Sequence, residues 1–235
     1  MTPSHLGQVL AVLRGPAVAF TRPGSRSAIA KSAATGPVAV AALGLHGDEQ
    51  GDLRVHGGPD KAVHHYAQEH YPAWQSELGP LPVLDAPGAF GENLASSGVT
   101  EKDLCLGDQV RIGSVLLEVS QSRQPCWKLN DRFGVADMAR RVQHSGRTGW
   151  YYRVLEAGAL QAGDAITLVA RPWPQWPLAR VMAVLYQQPF DAAVLTALAA
   201  LPLTPSWRRL VEGRLARGGV VEDWTARLDG TPHQP

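Results

Sequence analysis

The sequence predicts a mainly β domain with some helix, built as an antiparallel barrel or sandwich and followed by a small helical unit. Short apolar runs, separated by glycine, proline and aspartate, fill the first 170 residues, whereas helical periodicity begins only after a proline-rich segment. The chain has 24 glycines, 18 prolines and only 18% charged residues. Such a composition indicates many turns and short strands, and it disfavours a long helical bundle.

Strands are expected wherever apolar residues form short runs between turn residues. In chain order these runs are 38–45, 62–66, 109–121, 150–155 and 165–169. The Gly113-Ser114 pair divides the third run into a hairpin. A helix is predicted over 72–78, because it starts with a proline, and a second over 131–144, where four apolar residues recur at mostly helical spacing.

Three units are therefore predicted: a β domain over 1–170, a linker over 171–177 with three prolines, and a helical domain over 178–235. Its helices are expected at 178–188, at 192–201 after an Asp191 cap, at 207–217 after a Ser206 cap, and in a short piece at 222–228. So few short helices form a marginal unit alone. We expect them to dock on the first domain or on a second subunit, which favours a homodimer.

Charge and targeting features narrow the class of protein. The net charge of +1 disfavours a nucleic-acid binder. The N-terminal residues lack the basic segment of a signal peptide, and no run of about 18 apolar residues predicts a membrane span. The two cysteines, Cys105 and Cys126, form no Cys-x-x-Cys pair and fit a reducing compartment. We therefore expect a cytoplasmic protein without a membrane anchor.

Cys126 lies between Arg123 and Lys128, and nearby cations favour the thiolate, which attacks electrophiles and binds soft metals. A buried structural thiol is the alternative, and the residues alone leave both open. If the chain stays extended past Pro125, Cys126, Lys128 and Asn130 share a face, and Arg123 joins them only if the proline bends the strand.

Three further polar segments are candidates for a binding site, each with a simpler interpretation. Gly57 and Gly58, between His56 and Lys61, can cradle an anion or form a plain turn, and the turn is favoured. Glu92 and Asn93 either bond a heterocycle or shape a loop. The 24–31 segment combines two hydroxyls with two cations.

The neighbouring histidines carry no zinc signature. His64 and His65 point to opposite faces of a strand, and His70 follows without a matching partner. We expect one or two of them to be satisfied polar residues and one to line a pocket.

Taken in order, several of these segments resemble the MOSC family, which is named after the C-terminal domain of molybdenum-cofactor sulfurases. The segments are Ser27-Ala-Ile-Ala-Lys31, Gly44-Leu-His-Gly-Asp-Glu-Gln50, Val55-His-Gly-Gly-Pro-Asp-Lys-Ala62, Phe90-Gly-Glu-Asn-Leu94, Gly107-Asp108, Arg123-Gln-Pro-Cys126 and Gly149-Trp-Tyr-Tyr-Arg-Val154. The helical tail resembles the three-helix extension of bacterial members that confer resistance to 6-N-hydroxylaminopurine. The resemblance implies a barrel of the pyruvate-kinase type that holds a molybdopterin-type molybdenum cofactor.

The resemblance also implies roles for individual residues. Cys126 would be the molybdenum ligand, and His56 or Asp60 would deliver protons. The remaining candidates would contact the pterin, its phosphate or the substrate: Ser27, Lys31, Gly57, Gly58, Lys61, Glu92, Asn93, Arg123 and Lys128.

The implied activity is the reduction of N-hydroxylated compounds such as purine bases. Electrons would come from an external flavoprotein or ferredoxin-type donor, since the chain has no Fe–S cysteine set and no flavin fingerprint. Two rivals remain: a sulfur carrier or cofactor-handling module with a persulfide on Cys126, and a pterin- or phosphate-binding module without redox activity.

Overall fold

A closed barrel forms the body of the computed structural model, which describes residues 4–52, 56–220 and 222–230. Seven strands close it in the order β1, β8, β7, β11, β10, β9, β13 and back to β1. Their bounds are β1 Ser4–Arg14, β7 Val63–Ala67, β8 Leu94–Ser97, β9 Gln109–Ile112, β10 Val115–Ser122, β11 Trp150–Glu156 and β13 Ala165–Ala170. All neighbours pair antiparallel except β7 and β8. The predicted mainly β barrel is confirmed.

Short strands outside the barrel edge the loops that lead to the functional residues. They are β2 Val18–Ala19, β3 Arg26–Ser27, β4 Ser32–Ala33, β5 Val38–Ala41, β6 Gly44–Leu45 and β12 Gly158–Leu160. The run predicted as one strand over 38–45 is thus a hairpin, β5 with β6, and it pairs with β12 rather than entering the barrel. The Gly113-Ser114 hairpin forms as predicted, between β9 and β10.

Helices fill the crossover between β7 and β8 and the segment between β10 and β11. They are α1 Tyr71–Leu78, α2 Lys128–Phe133 and α3 Met138–Ser145. The single helix predicted over 131–144 is wrong, because Gly134 ends α2 in the left-handed conformation at φ 66°. Aromatic residues of the crossover form a second core, in which the rings of Tyr66 and Phe90 stack 4.0 Å apart.

The C-terminal helices pack against the barrel and share its apolar core. Their bounds are α4 Leu178–Tyr186, α5 Ala192–Ala199, α6 Pro205–Arg217 and α7 Thr225–Leu228. Asp191 caps α5 as predicted, accepting bonds from the amides of Ala193 and Val194. The predicted Ser206 cap is wrong: α6 begins at Pro205, and the Ser206 hydroxyl contacts Thr204 and Gln121 instead. No helix among the described residues is long and apolar enough to cross a membrane.

Candidate functional site

A cleft of about 570 Å³, counted together with the space continuous with solvent, opens beside the barrel end where β10 leaves and β11 enters. The side chains around it come from distant parts of the sequence, and most of them are polar or charged. Its lining includes Ser27, Lys31, Asp48, Glu49, Gln50, His56, Lys61, His64, Phe90, Asn93, Arg123, Cys126, Lys128 and Tyr151. The fold thus brings together eight of the twelve candidate site residues predicted from the sequence.

Cys126 sits in the loop 123–127, here called the Cys126 loop, which joins β10 to α2. Its side chain is largely buried, and its Sγ lies 3.6 Å from His56 Nε2. The chain does not stay extended past Pro125, because α2 begins at Lys128. The turn brings Arg123 to the cleft and sends Asn130 away, where its amide group bonds Leu228 O and the Ala139 amide.

The cleft is electropositive. Lys31, Lys61, Arg123 and Lys128 face two carboxylates, those of Asp48 and Glu49. Lys31 pairs with Asp48, and both side chains are buried. Burial lowers the pKa of the Lys31 ammonium, and the Asp48 carboxylate opposes that shift.

His56 is neutral at physiological pH. Burial, together with the positive charges of Lys128, Lys61 and Arg123, lowers its pKa to about 4. At pH 7 only about one His56 ring in a thousand then carries a proton. The neutral His56 ring can accept a hydrogen bond from the Cys126 thiol or donate one to its sulfur, depending on which ring nitrogen carries the proton.

Three polar atoms of the lining side chains are buried without a hydrogen-bond partner: His56 Nδ1, His64 Nε2 and Arg123 Nη1. A buried polar atom left unpaired costs about 1–3 kcal/mol, so such atoms are rare in folded proteins. These three atoms of the described lining residues are therefore available to hydrogen-bond a polar ligand in the cleft.

Two predicted site residues, Glu92 and Asn93, have their polar atoms engaged by the surrounding loops and strands, and only Asn93 lines the cleft. The buried Glu92 carboxylate accepts bonds from the Tyr71 hydroxyl at 2.9 Å and the amides of Gly88 and Phe90 at 2.7 and 3.1 Å. Asn93 does line the cleft, but its amide group is fully engaged with His64 N, Leu13 O and Asp48. The loop-shaping alternative therefore describes Glu92 better than contact with a heterocycle.

Asp60 and the glycine pair also lie away from the cleft wall. The Asp60 carboxylate accepts a bond from Arg153 Nε at 2.9 Å and is not among the described residues that line the cleft. Neither are Gly57 and Gly58, which lead into the turn Pro59–Lys61. The favoured interpretation of the glycines as a turn fits this geometry, while Val55 of the same motif lies outside the described residues.

The histidines divide as expected. His64 lines the cleft, His65 is buried with its ring nitrogens on Tyr152 and Ser96, and His70 pairs with Glu101 at 2.7 Å. Sequence reasoning assigned no role to Asp48 and Tyr151. Asp48 lies in the 44–50 segment that carries part of the family resemblance, and Tyr151 follows from the alternation of side chains along β11.

Comparison with known proteins places this chain in one family. The model of the MOSC domain matches residues 52–167, and that of the YiiM-like, 3-alpha helix domain matches 176–218. The chain belongs to the MOSC domain family and carries the YiiM-like helical domain.

Individual relatives agree with this assignment. Protein YiiM from Escherichia coli (strain K12) is 40% identical over 208 residues, which cover 88% of this chain and 92% of that protein. The crystal structure of YiiM from Escherichia coli has a TM-score of 0.78 at 32% identity, over 94% of this chain and 98% of that one. A protein named Reductase from Gibberella moniliformis (strain M3125 / FGSC 7600) is 40% identical over 190 residues, 80% of this chain but 34% of that protein.

Proposed function

We propose that this chain is a molybdenum-cofactor-dependent reductase of N-hydroxylated compounds, such as N-hydroxylated purine bases, with Cys126 as the molybdenum ligand. The observation that carries the proposal is the position of Cys126: its Sγ faces a neutral imidazole in a cleft with four cations. A thiolate is a suitable ligand for a soft metal centre. The similarity to a protein named Reductase supports an enzymatic role.

The residues present fit such a cofactor. Its phosphate and pterin would supply anionic oxygens and ring heteroatoms, which match the unpartnered Arg123 Nη1 and His64 Nε2. Among the described residues no three His, Cys, Asp or Glu side chains stand together as a metal site. A metal held here through Cys126 therefore needs further ligands, and a pterin cofactor brings its own.

Several side chains keep hydrogen-bonding capacity for the bound group. Lys128 Nζ donates one bond to Arg26 O at 2.6 Å and has two further protons. The Ser27 hydroxyl accepts a bond from the Ile29 amide at 3.2 Å and can still donate. With Arg123 and Lys61, these groups would bind the phosphate and pterin, whereas Lys31 is held by Asp48.

When bound, the cofactor supplies the two-electron redox chemistry. The overall reaction consumes two electrons and two protons: the N–O bond breaks, an N–H bond forms and water leaves. His56 is the residue that can move a proton at the reacting centre, since its Nε2 faces Cys126 and its Nδ1 has no partner. An anionic group in the cleft would raise the His56 pKa from about 4 toward neutrality. Asp60 is paired with Arg153 and is not among the described residues that line the cleft, so we assign the proton to His56.

The electrons are part of the same proposal, and we assign them to an external flavoprotein or ferredoxin-type donor. The homodimer also stays a prediction. Light scattering at micromolar concentration checks it, and a monomer would refute it.

The decisive experiment compares Cys126→Ser with Cys105→Ser in protein made in a molybdenum-replete host. Cys105 is the matched control, because it is also a free buried cysteine but lies by Pro174 O, away from the cleft. We expect near-stoichiometric molybdenum and pterin in the wild type and in Cys105→Ser, and loss of both in Cys126→Ser. Reduction of an N-hydroxylated purine by dithionite-reduced viologen should be lost in parallel, with the melting temperature unchanged.

Two results would overturn the proposal. Full reductase activity in Cys126→Ser would remove the thiolate from the chemistry. Absence of molybdenum even after reconstitution, with cyanide-labile sulfur on Cys126, would instead favour the sulfur carrier.

A further inference from the structure

The backbone on both sides of Cys126 is held by a single residue of the C-terminal unit. Arg227 Nη1 donates a hydrogen bond to Pro125 O, and Arg227 O accepts one from the Trp127 amide at 2.8 Å. Pro125 and Trp127 are the two chain neighbours of Cys126. Arg227 therefore brackets the cysteine from a position 101 residues further along the chain (227 − 126).

Arg227 is itself fixed by groups from several elements. Its Nη2 donates to Gln143 Oε1 on α3, and its guanidinium lies 4.7 Å from the centre of the Trp224 ring. The helix that carries it, α7, is anchored through Leu228 O, which accepts a bond from Asn130 Nδ2 at 2.8 Å. A planar guanidinium with fixed donors restrains an acceptor more tightly than a flexible ammonium does.

The Cys126 loop needs such a support. Pro125 has no amide proton, so the Gln124–Pro125 peptide cannot donate a bond to the barrel. The same loop has a second tie to the C-terminal unit, because Gln124 Nε2 donates to the Tyr186 hydroxyl at 2.8 Å. The C-terminal helices thus hold the loop at Gln124 and Pro125, while Cys126 lines the cleft.

We propose that Arg227 is a positioning residue for Cys126, which sets the direction of the thiol toward His56 and the cleft. The inference rests on the proposed function, since it assumes that Cys126 ligates the metal. Ligand groups must be held to within about 0.5 Å by their supporting residues, so a loose loop weakens the site even when the ligand is present. The C-terminal unit thereby completes a site whose other parts lie in the barrel domain.

The test compares Arg227→Met with Arg209→Met in the full chain. Arg209 is the matched control, because it is an exposed arginine of the same unit and lies outside the Cys126 cleft. Amide hydrogen exchange of peptides covering 122–130 is measured in metal-free protein, and molybdenum and pterin content in protein from a replete host.

In Arg227→Met we expect exchange in this segment to rise at least tenfold, with peptides of the distant β9–β13 pair unchanged, and metal content to fall severalfold. Arg227→Lys should recover part of both, because an ammonium can reach Pro125 O but cannot also bond Gln143 in the same geometry. Arg209→Met should match the wild type in both measurements.

Unchanged exchange in Arg227→Met would overturn the proposal, and so would faster exchange with full metal content, since Arg227 would then be only structural. If Arg227→Met fails to fold, the same two measurements are made on Arg227→Lys and Gln143→Leu. Each of these variants weakens the support of the Cys126 loop without removing it. A wild type that never holds molybdenum refutes the proposed function instead, and the exchange data still report whether Arg227 holds the loop.

Discussion

Replacing Glu92 with glutamine separates a loop-holding carboxylate from one that touches a ligand. The Glu92 Oε1 atom accepts bonds from Tyr71 and Gly88, and Oε2 accepts one from the Phe90 amide. Glutamine can keep the first oxygen, but its amide nitrogen then faces the Phe90 N–H, so one charge-assisted bond is lost and two become neutral. Bonds to charged groups contribute about 1.5–3 kcal/mol and neutral ones about 0.5–1.5 kcal/mol. Part of the loss is offset because a buried charge disappears, so the free energy of unfolding should fall by about 2–4 kcal/mol.

Urea unfolding measures this change, with Glu77→Gln as the matched control. Glu77 pairs with Arg147, but its carboxylate is exposed, so its replacement should change stability by less than about 1 kcal/mol. Stability within about 0.5 kcal/mol of the wild type would refute our account of the three bonds. Intact stability together with lost pterin would return Glu92 to direct contact with the cofactor.

Three further predictions follow from buried groups. Burial lowers the pKa of His65 to about 3, so between pH 6.5 and 3 the unfolded chain binds a proton that the folded chain does not. The free energy of unfolding should therefore fall as the pH is lowered through that window, by up to about 1.4 kcal/mol per pH unit for this group. His65→Gln should reduce the slope of the unfolding free energy against pH. Arg214 is buried, pairs with Glu222 at 3.0 Å and donates to Leu185 O at 2.7 Å. Arg214→Ala should lower the free energy of unfolding in urea by about 3–5 kcal/mol. A loss below about 1 kcal/mol would refute the Arg214–Glu222 salt bridge as a structural element. Gly149 has φ +68°, and a Cβ there would lie 2.3 Å from His65 O. Gly149→Ala should therefore lower the melting temperature sharply by forcing β7 and β11 apart. A wild-type melting curve would contradict the pairing register of β7 with β11.

The sequence predicts most of the barrel because β7, β9, β10, β11 and β13 are short apolar runs with turn residues at their ends. It does not predict β1 or β8. β8 reads Leu94-Ala-Ser-Ser97, with little β-branched character, and tertiary pairing alone makes it a strand. The helix over 131–144 fails for a related reason, since the apolar spacing continues across Gly134 while the backbone does not.

The candidate site was predictable where residue type and position agree. Cys126, Arg123, Lys128, Lys61, Lys31, Ser27, His56 and Asn93 all line the cleft. Glu92 and Asp60 do not, because a carboxylate in a motif looks the same whether it accepts backbone bonds or faces a ligand. The support from Arg227 could not be predicted, since no local pattern links it to Pro125.

The closure of the barrel has a consequence for how the molecule reaches its folded state. β1 pairs with β13, so that Gln8 lies opposite Ala165, and the seam joins the two ends of the domain in sequence. Contacts so distant in sequence are slow to form, because loop-closure entropy must be overcome first. During synthesis, the edges of β1 and β9 stay unpaired until the ribosome has extended the chain through β13. Unpaired strand edges can pair with strands of other chains, which leads to aggregation. Arg227 emerges later still, so we expect the Cys126 loop to become ordered only after the barrel is complete.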